Sequence, residues 1–197
     1  MRELHYYVFV VSIIAFLVVA CESKVEPEFL STNIAGASFG QDFHLVDHAG
    51  TLHSLADFKD KVVVIFFGYT QCPDMCPVTM GLLAEAMKQI GNEAQRVQVI
   101  FITLDPARDT PDILEQYVTS FDPNFIGLTG NENTIKATAA DFKVHSQKNP
   151  AGSDIQSVDH STGTYLFDTQ GKIRLYIRYG EGVELFVHDI KALLKAS

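Results

Sequence analysis

Lys61-Val62-Val63-Val64-Ile65-Phe66-Phe67 runs straight into Gly68-Tyr69-Thr70-Gln71-Cys72-Pro73-Asp74-Met75-Cys76-Pro77, and the rest of the chain is read outward from this stretch. The first part is continuously apolar and rich in β-branched residues. It lacks the alternation of a half-exposed strand, so it predicts a central strand buried on both faces. Pro77 suits the first turn of a helix that continues to about Ile90 and stops at Gly91. Proline disfavours helical geometry at the residue before it, which predicts Cys76 at the helix N-cap and Cys72 in the preceding loop. A helix N-terminus favours negative charge, so a thiolate there is stabilised and its pKa falls.

Downstream, Val97 to Leu104 reads as a second buried strand. Thr110-Pro111-Asp112 opens another helix with a cap, a first-turn proline and a first-turn acid. A short apolar piece around Phe125-Ile126 and a helix near Asn133 to Asp141 follow. Residues 146–158 are loop-like. Thr164 to Phe167 and Ile173 to Ile177 read as strands about the turn Asp168-Thr169-Gln170-Gly171, and a last helix spans about Val183 to Leu194. Upstream, two short strand-like runs flank Asp47-His48-Ala49-Gly50, a hairpin signal. The order β-α-β-α and then β-β-α predicts an α/β, thioredoxin-like mixed sheet flanked by helices, with an N-terminal β-hairpin extension and a β/α insertion. In such sheets reactive loops leave the carboxyl ends of the parallel strands. The loops after Phe67 and Leu104 both do so.

The N-terminus reads as an export signal. Tyr6 to Ala20 carries no charged residue and is shorter than the roughly 20 residues of a spanning helix, which is the length of a signal-peptide h-region. It ends Leu17-Val18-Val19-Ala20-Cys21, similar to a bacterial lipobox, in which the cysteine becomes the mature N-terminus and carries lipid. Val19 stands where alanine or serine is commoner. The other reading is an uncleaved anchor helix. Either places the remainder at the bacterial cell envelope, outside the cytoplasm, with the domain facing the periplasm. The expected division is 1–20 signal peptide, 21–35 flexible tether and 36–197 a single domain. A net charge of −9 argues against a nucleic-acid partner.

Of the three cysteines, lipidation of Cys21 would leave only Cys72 and Cys76. In an oxidising compartment that pair is a disulfide, a metal site, or both by turns. A disulfide closing so short a loop restrains the unfolded chain little, and the strand-end position favours a functional site. Soft thiolates select Cu(I) or Zn over hard ions. Two thiolates leave a metal site incomplete. Among the seven histidines, His160 stands out, in Asp159-His160-Ser161-Thr162-Gly163 just before the strand at Thr164. In a thioredoxin fold that loop lies against the cysteine loop. A lone histidine is more often structural, and His44, His48, His53 and His188 take that default. Thioredoxin-type oxidoreductases carry Cys-x-x-Cys, usually after Trp, and a cis-Pro before the facing strand. This chain has no Trp, three residues between its cysteines and no Pro after Pro150, with His160 roughly in that proline's place.

Gly68 to Pro77, together with Asp159-His160-Ser161, resembles the copper motif of the Sco/SenC family. Asp105-Pro106-Ala107-Arg108-Asp109-Thr110-Pro111 is similar to its second signature, and Phe125-Ile126-Gly127-Leu128-Thr129-Gly130 to a third. The resemblance covers about residues 36–195, in the family's order. It implies a copper metallochaperone holding Cu(I) and/or Cu(II) on Cys72, Cys76 and His160. The implied partners are the copper-centre subunit of cytochrome c oxidase or another copper chaperone. Some members are proposed to act as thiol–disulfide reductases, so an enzymatic role of Cys72 and Cys76 stays open, as does that of a redox or copper sensor. A monomer is expected. Met75 stands where an aliphatic residue is commoner, and His145 where an aromatic is expected. Arg108 and Asp109 are expected near the copper loop, to steady it or to face a partner.

Overall fold

A computed structural model describes residues 27–148, 158–160 and 163–196. The buried apolar run forms β4 (Val62–Gly68), with every residue buried. It is central because both its edges are taken. β5 (Val97–Thr103) lies parallel on one side, with Phe66 opposite Phe101, and β9 (Thr164–Phe167) lies antiparallel on the other, with Phe66 opposite Thr164. The sheet extends through β6 (Ile126–Leu128) beyond β5, and through β10 (Ile173–Ile177) and β1 (Thr32–Asn33) beyond β9. The order is β1-β10-β9-β4-β5-β6. This is the thioredoxin-like mixed sheet expected.

Among the described residues four α-helices flank it: α1 (Met75–Ile90), α2 (Pro111–Thr119), α3 (Glu132–Asp141) and α4 (Val183–Lys195). The start of α2 follows its sequence signal, and α3 starts on a cap as well. Thr110 accepts a hydrogen bond from the Ile113 N–H and Asn131 accepts one from the Thr134 N–H, so both caps satisfy donors that a helix start leaves orphaned. Successive strand residues face opposite sides. Phe66 therefore meets Phe101 on one face (centroids 6.1 Å apart), while Phe67 meets Phe142 at the end of α3 on the other (5.1 Å).

The N-terminal hairpin pairs β2 (Leu45–Val46) with β3 (Leu52–His53). Asp47 organises its turn, accepting from the Ala49 and Thr51 N–H groups at 2.9 Å and meeting His53 Nε2 at 3.0 Å. Val46 bridges to Thr129, which fastens the hairpin beyond the end of β6. The turn after β9 closes likewise on Asp168, which accepts from the Gln170 and Lys172 N–H groups.

The structure departs from the sequence reading in three places. Helix α1 begins at Met75, with Asp74 as N-cap, so Cys76 is in its first turn and not at the cap. Pro77 permits this because a first-turn N–H has no intrahelical partner to lose. Residues 146–158 are not all loop. Ser146–Lys148 forms β7, paired antiparallel with β8 (Val158–His160), and His160 ends that strand opposite Ser146. Ser146-Gln147-Lys148 has no apolar alternation, so this polar ribbon leaves no strand signal. The end of the expected tether joins the fold. Thr32 and Asn33 pair with Tyr176 and Leu175, and buried Asp189 on α4 accepts from the Leu30 N–H, the Ser31 N–H and the Ser31 hydroxyl. Among the described residues no helix is long and apolar enough to cross a membrane. The expected signal peptide and Cys21 lie outside those residues.

Candidate metal centre

β4 delivers the chain to the carboxyl end of the sheet, and Gly68 turns it over α1. Gly68 is required by close approach. A Cβ there would stand 2.8 Å from the Phe101 ring and 2.9 Å from Cys76 Sγ, where no real Cβ fits. The missing side chain is the space in which the Cys76 sulfur sits. The sequence carried that signal, since glycine inside a strand pattern often marks such an approach.

Neither Cys72 nor Cys76 is in a disulfide, and one turn of chain brings the two thiols together. The Cys76 N–H points at Cys72 Sγ, 3.5 Å away, so the sulfur takes the part of a cap acceptor at the start of α1. The two sulfurs differ. Cys72 is 8% exposed and Cys76 is fully buried. Burial works against ionisation of Cys72, but hydrogen bonds from the Cys76 and Asp74 N–H groups, the Cys76 thiol and the Tyr69 hydroxyl outweigh it and hold its pKa below the usual 9.0. Burial pushes the Cys76 thiol up, and the charges of Cys72 and Asp109 push the same way. The lowered pKa expected for Cys76 at the helix start is not found there: burial raises Cys76, and the lowered value belongs to Cys72.

The loop after β5 locks the cysteine loop in place. Asp109 is 1% exposed and accepts from the Thr70 N–H (3.0 Å), the Thr70 hydroxyl (2.6 Å) and the Thr103 hydroxyl (2.7 Å). Arg108 pairs with buried Asp105, lies over the Tyr69 ring (5.9 Å) and donates to Gln71 Oε1 (3.3 Å). Arg108 and Asp109 therefore steady the cysteine loop. The sequence placed both residues near it but left their role open, because Asp-Thr-Pro also reads as a plain helix cap.

The backbone brings His160 toward the same end of the sheet. Strand β9 starts at Thr164 opposite Phe66, two residues before Gly68, and His160 precedes Thr164 by four. The His160 side chain lies outside the described residues. Among those residues no cluster of three His, Cys, Asp or Glu side chains is arranged to hold a metal. The N-terminal histidines do not converge. His44 faces Asp42, His48 faces Glu115 and His53 faces Asp47.

The SCO1/SenC family model matches residues 31–195. The chain belongs to the SCO1/SenC family. A SCO2-like protein of Rickettsia felis is 39% identical over 135 residues, covering 68% of this chain and 66% of that protein. The match thus spans just under two thirds of the relative's length. Bradyrhizobium japonicum ScoI, whose solved structure has copper bound, superposes with a TM-score of 0.73 at 34% identity, covering 80% of this chain and all of that one. The apo Sco1 protein of Thermus thermophilus gives a TM-score of 0.76 at 36% identity, covering 86% of this chain and 99% of that one. The SCO1/SenC membership accounts for the order of the motifs around the two thiols and for the sheet that carries them.

Proposed function

We propose that this chain is a copper metallochaperone in which Cys72, Cys76 and His160 hold the copper cargo. The observation that carries the reading is the pair of unbridged thiols, buried and held side by side at a strand end, in a fold shared with a copper-bound relative. The donor set suits the ion. Two thiolates match Cu(I), and one imidazole also accommodates Cu(II). Both thiols must be reduced and deprotonated to bind, so loading is coupled to redox state and releases protons. Cys72 loses its proton the more readily and is the first anchor for the ion. Cys76, out of water, closes the site behind it.

The client is the dinuclear copper centre of cytochrome c oxidase, reached directly or through another copper chaperone. The protein acts as a monomer, held beside the membrane by lipid on Cys21 after removal of residues 1–20. Mass spectrometry of the protein from a bacterial membrane checks the anchor, since a chain still starting at Met1 shows an uncleaved helix instead. The decisive test is copper titration of the reduced protein with metal analysis. One copper per monomer is expected, lost in Cys72→Ala and in Cys76→Ala. Tight binding retained by the double variant would place the site elsewhere.

A second reading, a thiol–disulfide oxidoreductase, is favoured by the asymmetry of the pair. A readily ionised Cys72 attacks a partner disulfide, and a buried Cys76 then resolves the mixed disulfide. Both readings use the same two sulfurs, and His160 is superfluous to the second.

A further inference from the structure

The described chain begins at Pro27, which lines two neighbouring clefts. The larger, about 650 Å³, is also lined by Asp168, Lys172, Arg174 and Lys195. The smaller is also lined by His188, Lys191 and Lys195. Lys195 is common to both, so they form one continuous surface. Among the described residues that surface carries four basic side chains, from Lys172, Arg174, Lys191 and Lys195, and one acid, on a chain of net charge −9. The acid, Asp168, is buried and already engaged by Arg174 at 3.1 Å and by the N–H groups of its own turn. Lys172 and Lys195 are exposed. Exposed Glu28 and Asp60 lie at the border, Asp60 between Lys59 and Lys61. Leu30, 58% exposed, adds an apolar side chain nearby, its N–H held by Asp189 on α4.

This surface lies away from the cysteine loop. β9 starts opposite Phe66 and ends with Phe167 opposite Val63, so the turn Asp168-Thr169-Gln170 in the larger cleft sits beside the start of β4. The cysteine loop leaves the other end of β4, seven residues or about 23 Å further on. Exposed Asp74 and Asp112 stand at that far end, at the starts of α1 and α2. Cys21 precedes Pro27 by six residues, no more than about 20 Å of chain. A bilayer that holds the anchor is therefore within reach of the basic surface. Anionic headgroups attract Lys and Arg side chains and repel carboxylates, over about one Debye length.

We propose that the face around Pro27, with Lys172, Lys191 and Lys195, docks on anionic phospholipid headgroups and so holds the cysteine loop pointing away from the membrane. The inference rests on the membrane-anchor reading and is independent of copper. The tether alone would leave the domain free to tumble. Each basic side chain at an anionic surface shifts the balance about fivefold, so three lysines favour the docked orientation on the order of a hundredfold. Arg174 is left out of that count because Asp168 holds it.

The test uses the full-length protein from bacterial membranes, reconstituted in nanodiscs of phosphatidylcholine alone or mixed with phosphatidylglycerol. Lysine acetylation is followed by peptide mass mapping. With phosphatidylglycerol, acetylation should slow several-fold at Lys172, Lys191 and Lys195, and high salt should restore it. Lys136 is the internal reference, on α3, which follows β6 at the opposite edge of the sheet from β1. Its rate should be the same in both discs. In Lys191→Glu/Lys195→Glu the rate at Lys172 should return to its phosphatidylcholine value while the protein stays on the disc. Equal rates at the three lysines in the two lipids overturn the inference, and so does slowing as large at Lys136. If the protein leaves discs of both compositions, the anchor reading falls and this inference with it.

Discussion

At the scale of single residues the centre is built on an inequality between two sulfurs. Cys72 has its charge stabilised by N–H groups of the first helical turn, and Cys76 lies in the cavity left by Gly68. A thiol whose pKa is depressed reaches its reactive thiolate form at lower pH than an ordinary thiol. Limited alkylation of the reduced protein should therefore label Cys72 first, with a rate that rises through a midpoint below 9.0. Peptide mapping across a pH series checks this, and equal labelling of Cys76 would contradict the asymmetry. Gly68→Ala probes the other sulfur. The new methyl group collides with Phe101 and Cys76 Sγ, and overpacking of this kind costs about 1–3 kcal/mol. Denaturant unfolding should show that loss, and Cu(I) affinity should fall along with it because Cys76, a proposed ligand, has been displaced.

At the scale of elements, the loop between β5 and α2 is a clamp on the loop between β4 and α1. Its centre is buried Asp109, which takes three hydrogen bonds from Thr70 and Thr103. Asp109→Asn keeps the shape but turns one accepting oxygen into a donor. At least one buried donor then loses its acceptor, at about 1–3 kcal/mol. The reduced protein should unfold at lower denaturant, and its disulfide exchange should change as the Cys72 loop loosens. A variant as stable as wild type would show that water takes the carboxylate's place. The reach of sequence reading follows the same physics. The central strand, the cap at Thr110 and the turns at Asp47 and Asp168 were legible because each is dictated by residues adjacent in the chain. The pairing of β7 with β8 was not, since polar strands without alternation carry no period. Nor was the Asp109 clamp, whose partners are 39 and 6 residues away, nor the anchoring of Ser31 by Asp189 across 158 residues. The two thiols were legible as a site from their spacing and position, but which of them ionises was not.

At the scale of the whole molecule the fold brings to one end of the sheet groups that the chain keeps far apart. The cysteine loop leaves β4 there, and the segment ending in His160 enters β9 from the same end. His160 is the residue that separates the two readings of the pair. Replacing it with alanine leaves both sulfurs, the Asp109 clamp and the start of α1 in place, so the thiols should still oxidise and reduce. A three-ligand copper site that loses its imidazole should weaken by more than the 10–100-fold typical of an outer-shell partner, because a direct ligand is gone. Exchange slows somewhat if a protonated imidazole helps to hold the thiolates, but it does not stop. The measurement is a pair made on the same His160→Ala protein, Cu(I) affinity by competition and the rate of disulfide exchange with a small dithiol. In cells the same variant should fail to deliver copper while keeping a working disulfide couple. Unchanged copper affinity together with collapsed exchange would instead make His160 a catalytic group of an oxidoreductase, acting beside the thiol pair.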